Sequence, residues 1–183
     1  MSVRRVLITG CSSGGKSTLV AELARRGQEI VREPGRRVVR AERRMGGTGL
    51  PWIDAERFGR LCLRIATADW EGVRAGTAFF DRGVFDAAVN LGRMGFEAEA
   101  TRYLNQFPYD TTVILAPPWE ALFAEDAERQ NNFEDAVEEY VALAGALSQL
   151  GYTAHVLPEA SVSDRADAVE AWVAAQPVLG AAR

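Results

Sequence analysis

Cysteine and histidine are scarce in this sequence: two cysteines and one histidine in 183 residues. Cys11 and Cys62 stand far apart and make no metal-ligand spacing, so no cysteine-held metal is expected. His155, the single histidine, falls in an apolar stretch where a structural role is expected. No apolar run is long enough to cross a bilayer and no secretory leader is evident; the expectation is a cytoplasmic protein without a membrane span. A net charge of −4 leaves no general basic face for coating nucleic acid, which would have to neutralise phosphates. Internal repeats, low-complexity tracts and interdomain linkers are also missing. What remains is an ordinary globular composition, 48% hydrophobic and 25% charged, long enough for one domain over residues 1–183.

Apolar runs alternate with helical periods, the pattern of a three-layer α/β protein with a parallel sheet and helices on both faces. Strands are expected at about 3–9, 28–33, 77–81, 111–116 and 153–157. A first helix ends at Gly27. The segment Arg36 to Arg44 leads into Met45–Pro51, which its glycines mark as a mobile loop. Asp54 caps a helix to about Arg74, with Phe58, Leu61, Cys62, Ile65 and Trp70 near one face. Further helices are expected at 84–94, 98–107 and 163–175, with a broken helical pair at 119–128 and 133–150.

Residues 7–18 read Leu-Ile-Thr-Gly-Cys-Ser-Ser-Gly-Gly-Lys-Ser-Thr and contain Gly10-x4-Gly15-Lys16-Ser17, the Walker A pattern. An apolar strand precedes it and a helix follows, the context that separates a phosphate loop from a chance match. Glycines at 10, 14 and 15 let the backbone turn its N–H groups inward, and the new helix adds its positive end. Ser13 and Thr18 complete the loop. Lys16 is expected to reach the β- and γ-phosphates and the Ser17 hydroxyl to ligate Mg²⁺. The chain is therefore expected to bind a nucleoside triphosphate, ATP or GTP. Cys11 lies within the loop, where a helix terminus can lower a thiol pKa; a small loop residue is the plainer reading.

Carboxylates at the other strand ends narrow the chemistry, because ligands of open parallel sheets sit beyond the carboxyl ends of the strands. Thr77–Asp81 is an apolar strand closed by an acid, so Asp81 is a candidate Mg²⁺ partner opposite Ser17. Capping the following helix is its structural alternative. Glu33 closes the second strand and suits removal of a proton from an acceptor hydroxyl; a salt bridge with Arg32 or Arg36 is the alternative. No DxxG turn or Asn-Lys-x-Asp guanine reader is present. Arg82, and Asp86 one turn into the next helix, are candidate acceptor contacts, as is Arg36. Arg36, Arg40 and Arg44 share a stripe if their segment is helical, suited to an anionic substrate, a macromolecular partner or plain solvation. Arg129 is placed for a lid over the triphosphate at about 119–135, where it would neutralise transition-state charge and help exclude water. Trp119 is expected to pack at a strand-to-helix corner.

The strings Gly10–Ser17, Arg32-Glu33-Pro34-Gly35-Arg36 and Phe80-Asp81-Arg82-Gly83 resemble the nucleoside and nucleotide kinase branch of P-loop proteins. A family of small bacterial AAA-domain ATPases, related to the ribosylnicotinamide kinase domain of NAD regulators, is the nearer resemblance. Leu115–Glu120, Asp126–Gln130, Leu150-Gly151-Tyr152, Leu157-Pro158 and Arg165 carry it through most of the chain. It implies strand order 2-3-1-4-5, a lid bearing Arg129, Mg-ATP or Mg-GTP at Lys16 and Ser17, and an acceptor near Glu33 and Asp81. The loop interior Cys-Ser-Ser-Gly departs from the family's more frequent Gly-Pro-Gly-Ser, and Arg36-Arg37 replaces the Gly-Thr of thymidylate kinases. The implied activity is transfer of a γ-phosphoryl group to a nucleoside, nucleotide or similar small molecule. A nucleotide-dependent regulatory module with slow hydrolysis is the alternative.

Overall fold

The computed structural model describes residues 3–120 and 133–176. Five strands form one sheet in the order β2-β3-β1-β4-β5: β1 (Val3–Gly10), β2 (Glu29–Val31), β3 (Gly76–Asp81), β4 (Thr112–Ala116) and β5 (Thr153–Val156). The β1–β3, β1–β4 and β4–β5 pairs are parallel. Central strands of such a sheet are covered on both faces and read as continuous apolar runs; every residue of β4 is buried. Seven helices are described: α1 (Lys16–Arg25), α2 (Pro34–Met45), α3 (Ala55–Gly72), α4 (Val84–Arg93), α5 (Glu97–Gln106), α6 (Phe133–Gln149) and α7 (Val162–Ala175). The expected strand order and fold class are those of the molecule.

The residues group into two compact units. The first draws on Met1–Ile30, Ala75–Asp81 and Tyr109–Arg183. Strand residues alternate in direction, so Val6 and Ile8 point to one face, where they meet Leu19 and Leu23 of α1 and Ala166, Val169 and Val173 of α7. Helix α6 packs on β1 and β5. Beneath the sheet, Arg4 gives Nε to Asp110 Oδ2 at 2.7 Å and Nη1 to the Val173 carbonyl at 2.7 Å. His155 stacks on Trp172 with centroids 4.8 Å apart, the structural role expected of it.

The second unit, Val31–Arg74 and Arg82–Pro108, packs α2 on α3, α3 on α4 and α4 on α5. Trp70 and Tyr103 both meet Phe107, which accounts for them as packing residues. On α3 the deepest positions are Gly59, Cys62, Leu63 and Ala66; Phe58, Leu61 and Ile65 are only half-buried, so the buried stripe is rotated from the one expected.

Local chemistry sets the element ends. Gly27, at φ 88°, closes α1 with Gln28 N donating to Leu23 O and Gly27 N to Ala24 O, a paired C-terminal motif that favours glycine. Strand β2 is shorter than expected because Pro34 opens α2 and holds Glu33 extended. Asp54 caps α3 by accepting Arg57 N at 2.9 Å. The expected mobile loop after α2 is irregular but internally tied. Buried Glu42 accepts Gly49 N at 2.7 Å, and a Cβ on Gly47 would fall 2.3 Å from the same carboxylate.

Candidate phosphate-binding and acceptor sites

In the first unit, the turn from β1 into α1 is shaped by backbone crowding. Gly10 sits at φ 121°, and a Cβ there would lie 2.1 Å from the Ala116 carbonyl oxygen of β4. A Cβ on Gly14 would meet the Pro117 carbonyl at 2.9 Å. Gly15, at φ 70°, is the N-cap of α1, and Cys11 N donates to Ala116 O at 3.3 Å. These contacts curl residues 10–15 at the carboxyl end of β1. Lys16 is buried and folds back so that Nζ donates to the Gly10 carbonyl at 3.1 Å and to the Cys11 carbonyl. Ser17 and Thr18 are exposed at the start of α1, and Thr18 Oγ1 donates to Gly15 O at 2.9 Å. Cys11 is fully buried with Sγ 3.8 Å from Ala116 O, so it serves the loop as a small packed residue.

Asp81 ends β3 opposite Ile8 of β1 and is buried. The parallel register therefore places its carboxylate on the strand beside the one that feeds the phosphate loop. Among the described residues no group of three or more His, Cys, Asp or Glu is arranged to hold a metal ion. Mg²⁺ takes oxygen ligands, one or two of them from protein and the rest from water and phosphate. Ser17 and Asp81 supply hard oxygens of this kind.

The second unit holds the remaining candidates. Glu33 Oε2 pairs with Arg36 Nε at 2.9 Å, the salt bridge weighed as its alternative role. Arg82, at φ 59°, gives Nη1 to Asp86 Oδ1 at 3.2 Å, while Asp86 Oδ2 accepts Gly83 N at 3.1 Å. Asp86 is buried and so acts within the α4 cap, orienting Arg82. Burial pushes the Cys62 thiol up to about 12; the Glu33 charge adds to the rise and Arg82 opposes it. On α2, Arg40, Arg43 and Arg44 are exposed, with the Arg43 guanidinium 5.1 Å from the Trp52 ring centroid. Arg37 instead pairs with Asp69.

Strain marks both units. Among the described residues only Ser13 and Arg82 are non-glycine positions with positive φ, at 65° and 59°; such conformations cost about 1–3 kcal/mol and gather at functional sites. Arg129 lies outside the described residues. Two contacts to the loop escaped the sequence reading. Glu139 Oε2 of α6 accepts Ser12 N at 2.8 Å, and Arg165 Nη1 of α7 donates to Gly15 O at 3.3 Å. Both cross more than a hundred residues, and no local pattern announces them. A third signal was legible and missed: Lys16 is the only lysine in the sequence.

The AAA domain family matches residues 5–165 of the chain. No curated protein matches it significantly. Among solved structures it is similar to NadR protein in complex with NR, at TM-score 0.68 and 18% identity; the alignment covers 99% of this chain and 54% of that one. It is also similar to deoxyadenosine kinase from M. mycoides, at TM-score 0.59 and 16% identity over 93% and 98% of the two chains. Shikimate kinase from Acinetobacter baumannii has the same TM-score and identity, with 94% and 93% covered. At such identities the likeness concerns the fold, and the chain spans about half of NadR.

Proposed function

The chain belongs to the AAA domain family, and from that premise we propose that it is a small-molecule phosphotransferase using a nucleoside triphosphate, ATP or GTP. The observation that carries this reading is the phosphate loop itself: a buried ammonium held at the mouth of a glycine turn, with a strand-end carboxylate on the neighbouring strand. The donor triphosphate lies on the Gly10–Thr18 loop. Its oxygens take the inward N–H groups, and Lys16 neutralises charge as the γ-phosphoryl group moves. Ser17 and Asp81 hold Mg²⁺, which screens the phosphate oxygens. Glu33 accepts the proton of the acceptor hydroxyl, with one of its oxygens steadied by Arg36. Arg82, oriented by Asp86, binds the anionic part of the acceptor, and Arg129 serves as the lid cation.

The acceptor class is a nucleoside, nucleotide or comparable hydroxyl-bearing metabolite, the substrate type handled by proteins of the same fold. Supplying γ-labelled ATP and GTP with a panel of such compounds tests the reading. Label should pass to an organic product, and Lys16→Ala should abolish transfer, because catalysis here is positioning and electrostatics. Because Lys16 is the sole lysine, an amine-directed acylating reagent has one side-chain target. Bound nucleotide should protect it. Label released only as free phosphate across the panel favours a nucleotide-dependent regulatory module, and full activity in Lys16→Ala refutes the loop assignment.

A further inference from the structure

Arg165 is placed at a cost from three directions. It is buried at 4% exposure, and desolvation lowers its pKa. Among the described residues no carboxylate pairs with it and its buried Nε has no hydrogen-bond partner. It also stands in the first turn of α7, where the helix dipole disfavours a cation. The nearby acid, Asp164, is exposed and engaged by Ser161, whose Oγ lies 2.7 Å from its Oδ2. A buried charge left uncompensated is strongly unfavourable, so its retention needs a counter-charge.

Two contacts say where that counter-charge belongs. The Arg165 guanidinium lies over the Trp119 ring, 5.0 Å from the centroid, which fixes its plane. Its Nη1 donates to the Gly15 carbonyl at 3.3 Å. That carbonyl also accepts Leu19 N and Thr18 Oγ1, so it is the hinge on which α1 begins. In a planar trans peptide, the Gly15 C=O and the Lys16 N–H point in opposite directions. A donor gripping the carbonyl therefore aims the Lys16 N–H away from α7 and polarises it as a donor.

We propose that Arg165 is a positioning residue of the nucleotide site: it orients the Gly15–Lys16 peptide and its charge is completed by the bound polyphosphate. This rests on the reading that the loop binds a nucleoside triphosphate. Arg165 does not touch the reacting atoms; it acts through the loop backbone.

The experiment compares wild type, Arg165→Met and Arg165→Lys in the full chain. Calorimetry gives the affinities for the tri-, di- and monophosphate of whichever base, adenine or guanine, wild type binds more tightly, and the melting temperature is taken without nucleotide. Arg165→Met keeps the packing on Trp119 while removing charge and donors. It should leave the nucleotide-free melting temperature unchanged or raised. Triphosphate affinity should fall about tenfold, the scale of one charge interaction at a protein site. The diphosphate should lose less and the monophosphate least, and Arg165→Lys should recover part of the loss. An equal loss for all three ligands, a lowered melting temperature or unchanged triphosphate affinity overturns the inference. Absence of binding by wild type would overturn the nucleotide reading as well; tight wild-type binding with an unaffected Arg165→Met variant refutes this inference alone.

Discussion

Replacing Gly10 by alanine tests whether the phosphate loop is set by crowding against β4. The new Cβ would fall 2.1 Å from Ala116 O, 2.6 Å from Ala116 N and 2.9 Å from Ala116 C, all of them backbone atoms. Reaching ordinary contact at 3.4 Å needs a displacement of 3.4 − 2.1 = 1.3 Å. Overpacking of this kind costs about 1–3 kcal/mol, and an alanine at positive φ adds about 1–3 kcal/mol. Gly27 separates the two effects, because it has φ 88° and nothing within 4 Å of its would-be Cβ. Gly27→Ala should therefore lose only the conformational part, about 1–3 kcal/mol. Gly10→Ala should lose about 2–6 kcal/mol. For a chain of this size that is roughly 2–4 °C of melting temperature per kcal/mol. Thermal unfolding of both variants reads this directly. With γ-labelled ATP and GTP, Gly10→Ala should also transfer label at least about a hundredfold more slowly than wild type, the scale of a 1 Å misplacement in a catalytic site. Equal melting temperatures for the two variants would refute the crowding argument.

Two further perturbations probe the framework. Asp110→Ala strands the buried Arg4 guanidinium, whose Nε lies 2.7 Å from Asp110; losing one partner of such a pair costs about 3–5 kcal/mol. Replacing both by apolar residues (Arg4→Met with Asp110→Leu) should recover most of that in urea unfolding, and no recovery would argue against a desolvated pair. Cys62 carries a pH signature. With the folded thiol pushed up to about 12, against about 8.5 in the unfolded chain, the folded state keeps a proton that the unfolded state sheds. Its contribution is complete below about pH 8.5 and is lost as pH rises toward the folded value. Chemical denaturation between about pH 8.5 and 11 should show stability falling with a steeper slope in wild type than in Cys62→Ala; identical slopes would refute the assignment.

The glycine turn between β1 and α1 was legible before any coordinates, because its shape is a local device. Glycines, a lysine and a hydroxyl at fixed spacing between an apolar strand and a helix suffice to shape it. The strand ending at Asp81 was legible for the same reason, since burial on both faces leaves an unbroken apolar run. The roles of Asp86 and Glu42 were not. Each is a carboxylate whose function depends on which backbone N–H comes within 3.1 Å, Gly83 for one and Gly49 for the other, and sequence spacing alone allowed solvent or substrate instead. The α3 stripe was misplaced because helical periodicity locates an apolar face only to within a residue or so when small residues such as Gly59 and Ala66 are buried along it.

The chain's own letters decide that a glycine turn forms between β1 and α1, since a period, a glycine pattern and one lysine act within nine residues. Tertiary structure alone decides what that loop is held by. Gly10 is compelled by the backbone of β4, Ser12 N meets Glu139 of α6, and Gly15 O meets Arg165 of α7. Those partners lie 106, 127 and 150 residues along the chain. Their proximity is a consequence of strand order and helix packing, which a linear pattern does not encode.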